Sequence, residues 1–64
     1  MTAEEKVAYI QSQTVSAQIA ALGMHAENMQ RAALGHSMAY DESDFVSLID
    51  RYGISHNAVL GMFQ

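Results

Sequence analysis

Cysteine and proline are both missing from this 64-residue chain, and only three of its residues are Lys or Arg. The lack of cysteine removes any disulfide framework and any thiolate metal finger, and it is compatible with a reducing compartment. The lack of proline leaves nothing that forbids long helices, so only Gly23 and Gly35 interrupt a run of strong helix formers reaching residue 38. Three basic residues against seven Asp and Glu give a formal charge of −4. That balance withholds the cations that nucleic acid and anionic membranes require, and makes basic partners electrostatically easier. No apolar run exceeds four residues, Ile19 to Leu22, far short of the roughly 20 that span a bilayer. No basic segment leads into an apolar one as in a secretion signal, so a soluble, cytoplasmic protein without a membrane partner is expected.

Half of the residues are apolar. A chain this short buries only roughly 60% of its unfolded surface, which makes a self-contained core marginal. With the usual staples absent, oligomerisation is the remaining source of stability.

The apolar residues are ordered. Ala8, Val15, Ile19, Leu22, Ala26, Met29 and Ala33 recur at the three- and four-residue steps that keep side chains on one helical stripe, without a slip from Val15 onward. This is the spacing of a coiled-coil-like seam. A second row, Val7, Ile10, Thr14, Ala17, Ala21 and Met24, lies beside it and is small enough for close neighbours. Between the rows runs a polar line of Glu4, Gln11, Gln18 and His25, ending at Ala32. Such a line is either a solvated rim, a buried polar layer that fixes register, or the lining of a ligand site between helices. Glu5, Tyr9, Gln13, Ser16, Glu27, Gln30 and Arg31 form an ordinary outward face.

Local signals divide the single domain, residues 1–64, into a long oligomerising helix over 1–38 and a short helix pair over 41–64. Thr2 and Glu5 make a capping box at the start. Gly23 could be a hinge between two antiparallel helices, but the seam keeps its phase across it. A continuous helix is therefore expected, with the glycine permitting close backbone approach or a slight bend. Asp41 or Ser43 caps a second helix whose Phe45, Leu48, Ile49 and Tyr52 share one face, and Gly53 stops it. Ser55 caps a third, with Ile54 and Val59 placed as a hydrophobic staple. The expected fold class is all-α, one long N-terminal helix followed by two short ones, packed as a helical homo-oligomer. A helix of about 35 residues is about 50 Å long, while the short ones reach about 12 to 16 Å. The short pair is expected to pack on the end holding Met29, Ala33 and Met38. The predicted oligomer interface is Val7, Ile10, Val15, Ile19, Leu22, Ala26 and Met29, with Gln11, Gln18 and His25 as its polar line, and a dimer is the simplest assembly.

Sites for chemistry are scarce. His25 and His36 stand about 16 Å apart along a helix, so within one chain they share no ion, and no His-x-x-x-His pair occurs. No nucleophile motif or glycine-rich phosphate loop is present. We expect no enzyme, no catalytic residue, no metal and no cofactor.

The segment from Phe45 to Met62 resembles the helix-turn-helix family: Gly53 sits at the tight turn, Ile54 follows it, and Leu48, Val59 and Met62 occupy the family's buried positions. It departs from the family at Ile49, where a small residue is usual. The resemblance implies a turn geometry. DNA reading by Ser55, His56, Asn57, Leu60 and Gln64 would have only Arg51 nearby among Asp41, Glu42, Asp44 and Asp50, so nucleic acid is disfavoured. A looser likeness covers Gly23 to Phe45: Met-His-Ala-Glu-Asn-Met-Gln-Arg, then Gly-His-Ser-Met-Ala-Tyr, then an acidic helix start, is similar to short helical accessory proteins encoded by phages. It implies a small protein that binds a host factor or a host-derived small molecule, and it transfers no site residue. Asn28, Arg31, His36 and Tyr40, polar groups near the junction of the long helix with the short pair, are the candidate ligand or partner contacts. Capping and fold-stabilising hydrogen bonds are an equal account of all four. The expected function is a non-enzymatic interaction module, homo-oligomeric, that regulates or inhibits a partner protein. A helix-turn-helix DNA regulator and a small-ligand binder are the alternatives.

Overall fold

The computed structural model describes residues 1–64 and is helical throughout, with no strand: α1 (Ala3–Ala33), α2 (Glu42–Arg51) and α3 (His56–Met62). α1 begins on the anticipated capping box, Thr2 N–H donating to Glu5 Oε1 at 2.9 Å and Glu5 N–H donating to Thr2 Oγ1 at 3.1 Å. It runs through Gly23 without a break, as the unbroken phase of the stripe requires. Thr14 keeps its hydroxyl satisfied mid-helix by donating to the Ile10 carbonyl at 2.8 Å.

α1 ends at Ala33, short of the expected residue 38. Gly35 takes a left-handed conformation, φ 76°, and the amides of Gly35 and His36 donate back to the carbonyls of Ala32 and Arg31 at 3.0 and 2.8 Å. This paired closure satisfies the last carbonyls and turns the chain, so the helix-forming residues beyond it are never recruited. α2 stops in the same way at Gly53, φ 67°, with Gly53 and Ile54 donating to Asp50 and Ile49. Its start is a second capping box, made by Asp41 and Asp44. Ser55 caps α3 by accepting from the Ala58 amide at 3.2 Å.

α2 and α3 form one bent arm that doubles back along α1. Its fastenings run down the long helix in order. Asn28 grips residues 39–40, α2 packs on the middle of α1, Gln13 Nε2 donates to the Tyr52 carbonyl at 3.1 Å, and Lys6 Nζ lies 5.4 Å from the centre of the Phe63 ring. The arm therefore does not sit on the end holding Met29, Ala33 and Met38, where the sequence placed it; Met29 and Met38 are exposed. The reason is reach. Helix lengths alone omit the loop over 34–41 and the turn over 52–55, which together with α2 and α3 let the arm follow α1 from Asn28 to Lys6. The molecule measures 49 × 17 × 10 Å, and its long dimension is that of α1, about 46 Å at 1.5 Å per residue.

Burial is shallow. Only Ala17 (9% exposed) on α1 and Leu48 (4% exposed) on α2 are buried, marking where the two helices meet. The face of α1 under the arm carries Lys6, Ile10, Gln13, Thr14, Ala21 and Met24, all half-buried, so the arm uses the second, smaller row. No buried side-chain nitrogen or oxygen lacks a hydrogen-bond partner.

Candidate functional site

Because the arm occupies the second row, the first row is left open along its whole length. Ile19 follows Ala17 by two residues, about 200° of helical rotation, and so faces almost directly away from the arm. Ile19 is 65% and Leu22 68% exposed, and Val15 and Met29 are also exposed. Of the predicted interface residues, Val7, Val15, Ile19, Leu22, Ala26 and Met29 are open to solvent, whereas Ile10 is half-buried on the arm side. Gln11, Gln18 and His25 are exposed along one edge of the stripe. An open groove lined by Gln18, Ala21, Leu22 and His25 lies where this line meets the apolar residues.

The same stretch is electrically bare. From Val7 through Ala26, about 30 Å of helix, there is no Asp, Glu, Lys or Arg. The charges of α1 gather at its two ends, Glu4, Glu5 and Lys6 at one and Glu27 and Arg31 at the other. An ordinary solvated helix face carries charge, so a long uncharged face with exposed aliphatic side chains is a surface that loses little on leaving water.

The junction residues are placed differently from one another. Asn28 bonds backbone with its entire amide: Oδ1 accepts from the Ala39 and Tyr40 amides at 2.8 and 3.0 Å, and Nδ2 donates to the Tyr40 carbonyl at 2.8 Å. Its side chain holds the arm's first residues against α1. Arg31 Nε pairs with Glu27 Oε1 at 3.0 Å, an exposed pair one helical turn apart. His36 is exposed, and its backbone amide takes part in closing α1. The structure thus brings Asn28 to Tyr40 but does not converge the four residues on one point.

Two arm fastenings escaped the sequence. Gln13, grouped with the outward face, reaches the carbonyl that would otherwise end α2 unpaired, and Lys6 covers Phe63 near the opposite end of the chain. Neither has a periodic signature. The uncharged run from Val7 to Ala26, in contrast, was readable by inspection.

The remaining features are small. A second open groove is lined by Asp41, Glu42, Ser43 and Val46. There the Asp41 carboxyl accepts from the Asp44 amide and the Ser43 hydroxyl, bonds that hold its pKa below the usual value. In the helix-turn-helix-like segment Leu48 is buried and Ile54, Val59 and Met62 are half-buried, while Ile49 is exposed, which removes the need for a small residue there. No three His, Cys, Asp or Glu side chains come together as a metal site, and no helix is long and apolar enough to cross a membrane. No protein-family model, curated protein or solved structure matches the chain.

Proposed function

We propose that this chain is a non-enzymatic interaction module that self-associates and regulates or inhibits a partner protein, with the open stripe of α1 as its working surface. The observation that carries this is the uncharged helix face from Val7 to Ala26 bearing exposed Val15, Ile19 and Leu22. A shape 10 Å through at its thinnest, with grooves open to solvent, offers no enclosure in which water could be kept from a reacting group. The small size and helical style fit an accessory protein of the kind that phages encode. DNA reading has no comparable support, since the cations on or beside the arm are Arg51 and Lys6 against four acids.

Sedimentation equilibrium at micromolar concentration tests the proposal. The parent chain is expected to show a multiple of 7.0 kDa, and Leu22→Asp to show a single chain, because a charge buried in an apolar seam is costly. A parent of one-chain mass, together with a Leu22→Asp variant of unchanged melting temperature, would remove the stripe from the protein's function.

A further inference from the structure

We infer that the occupant of the stripe is a second copy of this chain, seated antiparallel about a twofold axis that passes between the two copies of α1, level with the midpoint of Ala20 and Ala21. This rests on the stripe being the working surface and adds its occupant and register.

Area comes first. The chain exposes 4818 Å², whereas a compact folded chain of its 7.0 kDa mass exposes about 4,000 Å². The excess, about 800 Å², is what one partner contributes to an interface of standard size. One stripe on one further copy accounts for it.

The stripe is also self-complementary. From Ala8 through Val15, Ile19, Leu22 and Ala26 to Ala33 the steps are seven, four, three, four and seven, the same read from either end. An antiparallel twofold pairing therefore sets Ile19 against the second copy's Leu22, Val15 against its Ala26, and Ala8 against its Ala33. Met29 alone meets a residue outside the stripe, Ser12. The largest aliphatics fall next to the axis and alanines toward the ends, so the anchors lie at the centre, where water is most fully excluded. The flanks match as well. On one, Gln18 comes beside the second copy's His25, an amide and an imidazole that can hydrogen-bond, at the groove these residues already border. On the other, Gly23 comes beside Ser16. A glycine inside a helix is unfavourable relative to alanine, and within the single chain nothing lies within 4 Å of where its Cβ would be. A close second backbone supplies the reason that the single chain does not.

Charge selects the direction. A parallel pair would align two helix dipoles and put Glu4 and Glu5 beside their own copies. The antiparallel pair sets the two acidic starts at opposite ends and leaves the uncharged stretch between. Each copy carries −4, but the acids of the arm lie on the side away from the stripe, and exposed charges more than about 10 Å apart are largely screened.

Cysteine pairs test this cleanly because the chain has no cysteine. Val15→Cys and Ala26→Cys variants, each shown to be helical by circular dichroism, are mixed and mildly oxidised. Covalent dimers containing one of each are expected. Val15→Cys alone is expected to give none, since its two copies would stand about 16 Å apart along the axis, beyond the about 7 Å that a disulfide tolerates. Ala8→Cys with Ala33→Cys repeats the test at the far ends. Efficient linking of Val15→Cys to itself would establish a parallel pair and overturn the inference, as would a two-chain mass with neither mixture linking; in both cases the self-associating module itself would stand. A one-chain mass for the parent would overturn both.

Discussion

The two sides of α1 make opposite use of the same helix. The side under the arm mixes the small or polar Gln13, Thr14, Ala17 and Ala21 with the larger Ile10 and Met24 and encloses only Ala17 fully, yet it is where α2 packs and where Gln13 bonds the Tyr52 carbonyl. The open side carries Val15, Ile19, Leu22 and Met29 and makes no contribution to that shape. In most small domains the larger aliphatics line the core and small residues fill the gaps. Here most of the larger aliphatics of α1 lie on the side the chain leaves open, the arrangement expected of a helix whose open side meets something outside the single chain.

The comparison breaks hardest at its two centres. Leu48→Ala removes the one large buried side chain on the arm side, and its expected cost is about 2 to 4 kcal/mol. Urea unfolding should show the midpoint fall at every protein concentration. Leu22→Asp, on the other side, should instead make unfolding independent of concentration, because it acts on association. If both variants behaved alike, the two sides would not be separate. A smaller loss is expected from Asn28→Ala, which deletes three hydrogen bonds at a part-exposed site, at about 1 to 2 kcal/mol. Amide exchange should then rise in residues 39–40 and α2 while the middle of α1 stays protected.

The smallest effect is a pH dependence at the helix starts. The Thr2 amide and hydroxyl hold the Glu5 carboxyl below its usual pKa, and the Asp44 amide and Ser43 hydroxyl do the same for Asp41. A carboxyl whose folded pKa is lowered contributes stability above its unfolded value, and that contribution is lost as pH falls through the folded value. Helicity by circular dichroism should therefore be flat above the ordinary carboxylate range and decline beneath it. Glu5→Gln with Asp41→Asn should flatten the decline. An unchanged acid limb in the double variant would place the titrating groups elsewhere.

Local chemistry made much of this legible from the sequence. Thr2 with Glu5 and Ser55 each cap the helix they were expected to cap, Asp41 and not Ser43 is the one of the two candidates that caps α2, and Gly53 ends α2, because caps and left-handed glycines act over a few residues and need no tertiary context. Gly35 was visible too, but its strength as a stop depends on the backbone closing onto Arg31 and Ala32, which competes with the helix formers that follow. The path of the arm was not legible. It is set by Asn28, Gln13 and Lys6, three polar side chains whose partners lie 11 or more residues away, and apolar periodicity carries no information about such bonds. Of the junction residues, the amide of Asn28 is wholly engaged with backbone, and for it the structural account was the better one.

If the stripe joins chains, the outer surface of the arm acquires a valence. Asp41, Glu42, Asp44, Asp50 and Arg51 are all exposed on an element fastened to the far side of α1 from the stripe. Whatever covers the stripe leaves this acidic surface free, and every chain joined through its stripe brings one more. A basic partner with two matching sites would then gain from the second contact by proximity alone, so that the number of chains joined, more than the strength of any one arm, sets how firmly such a partner is held.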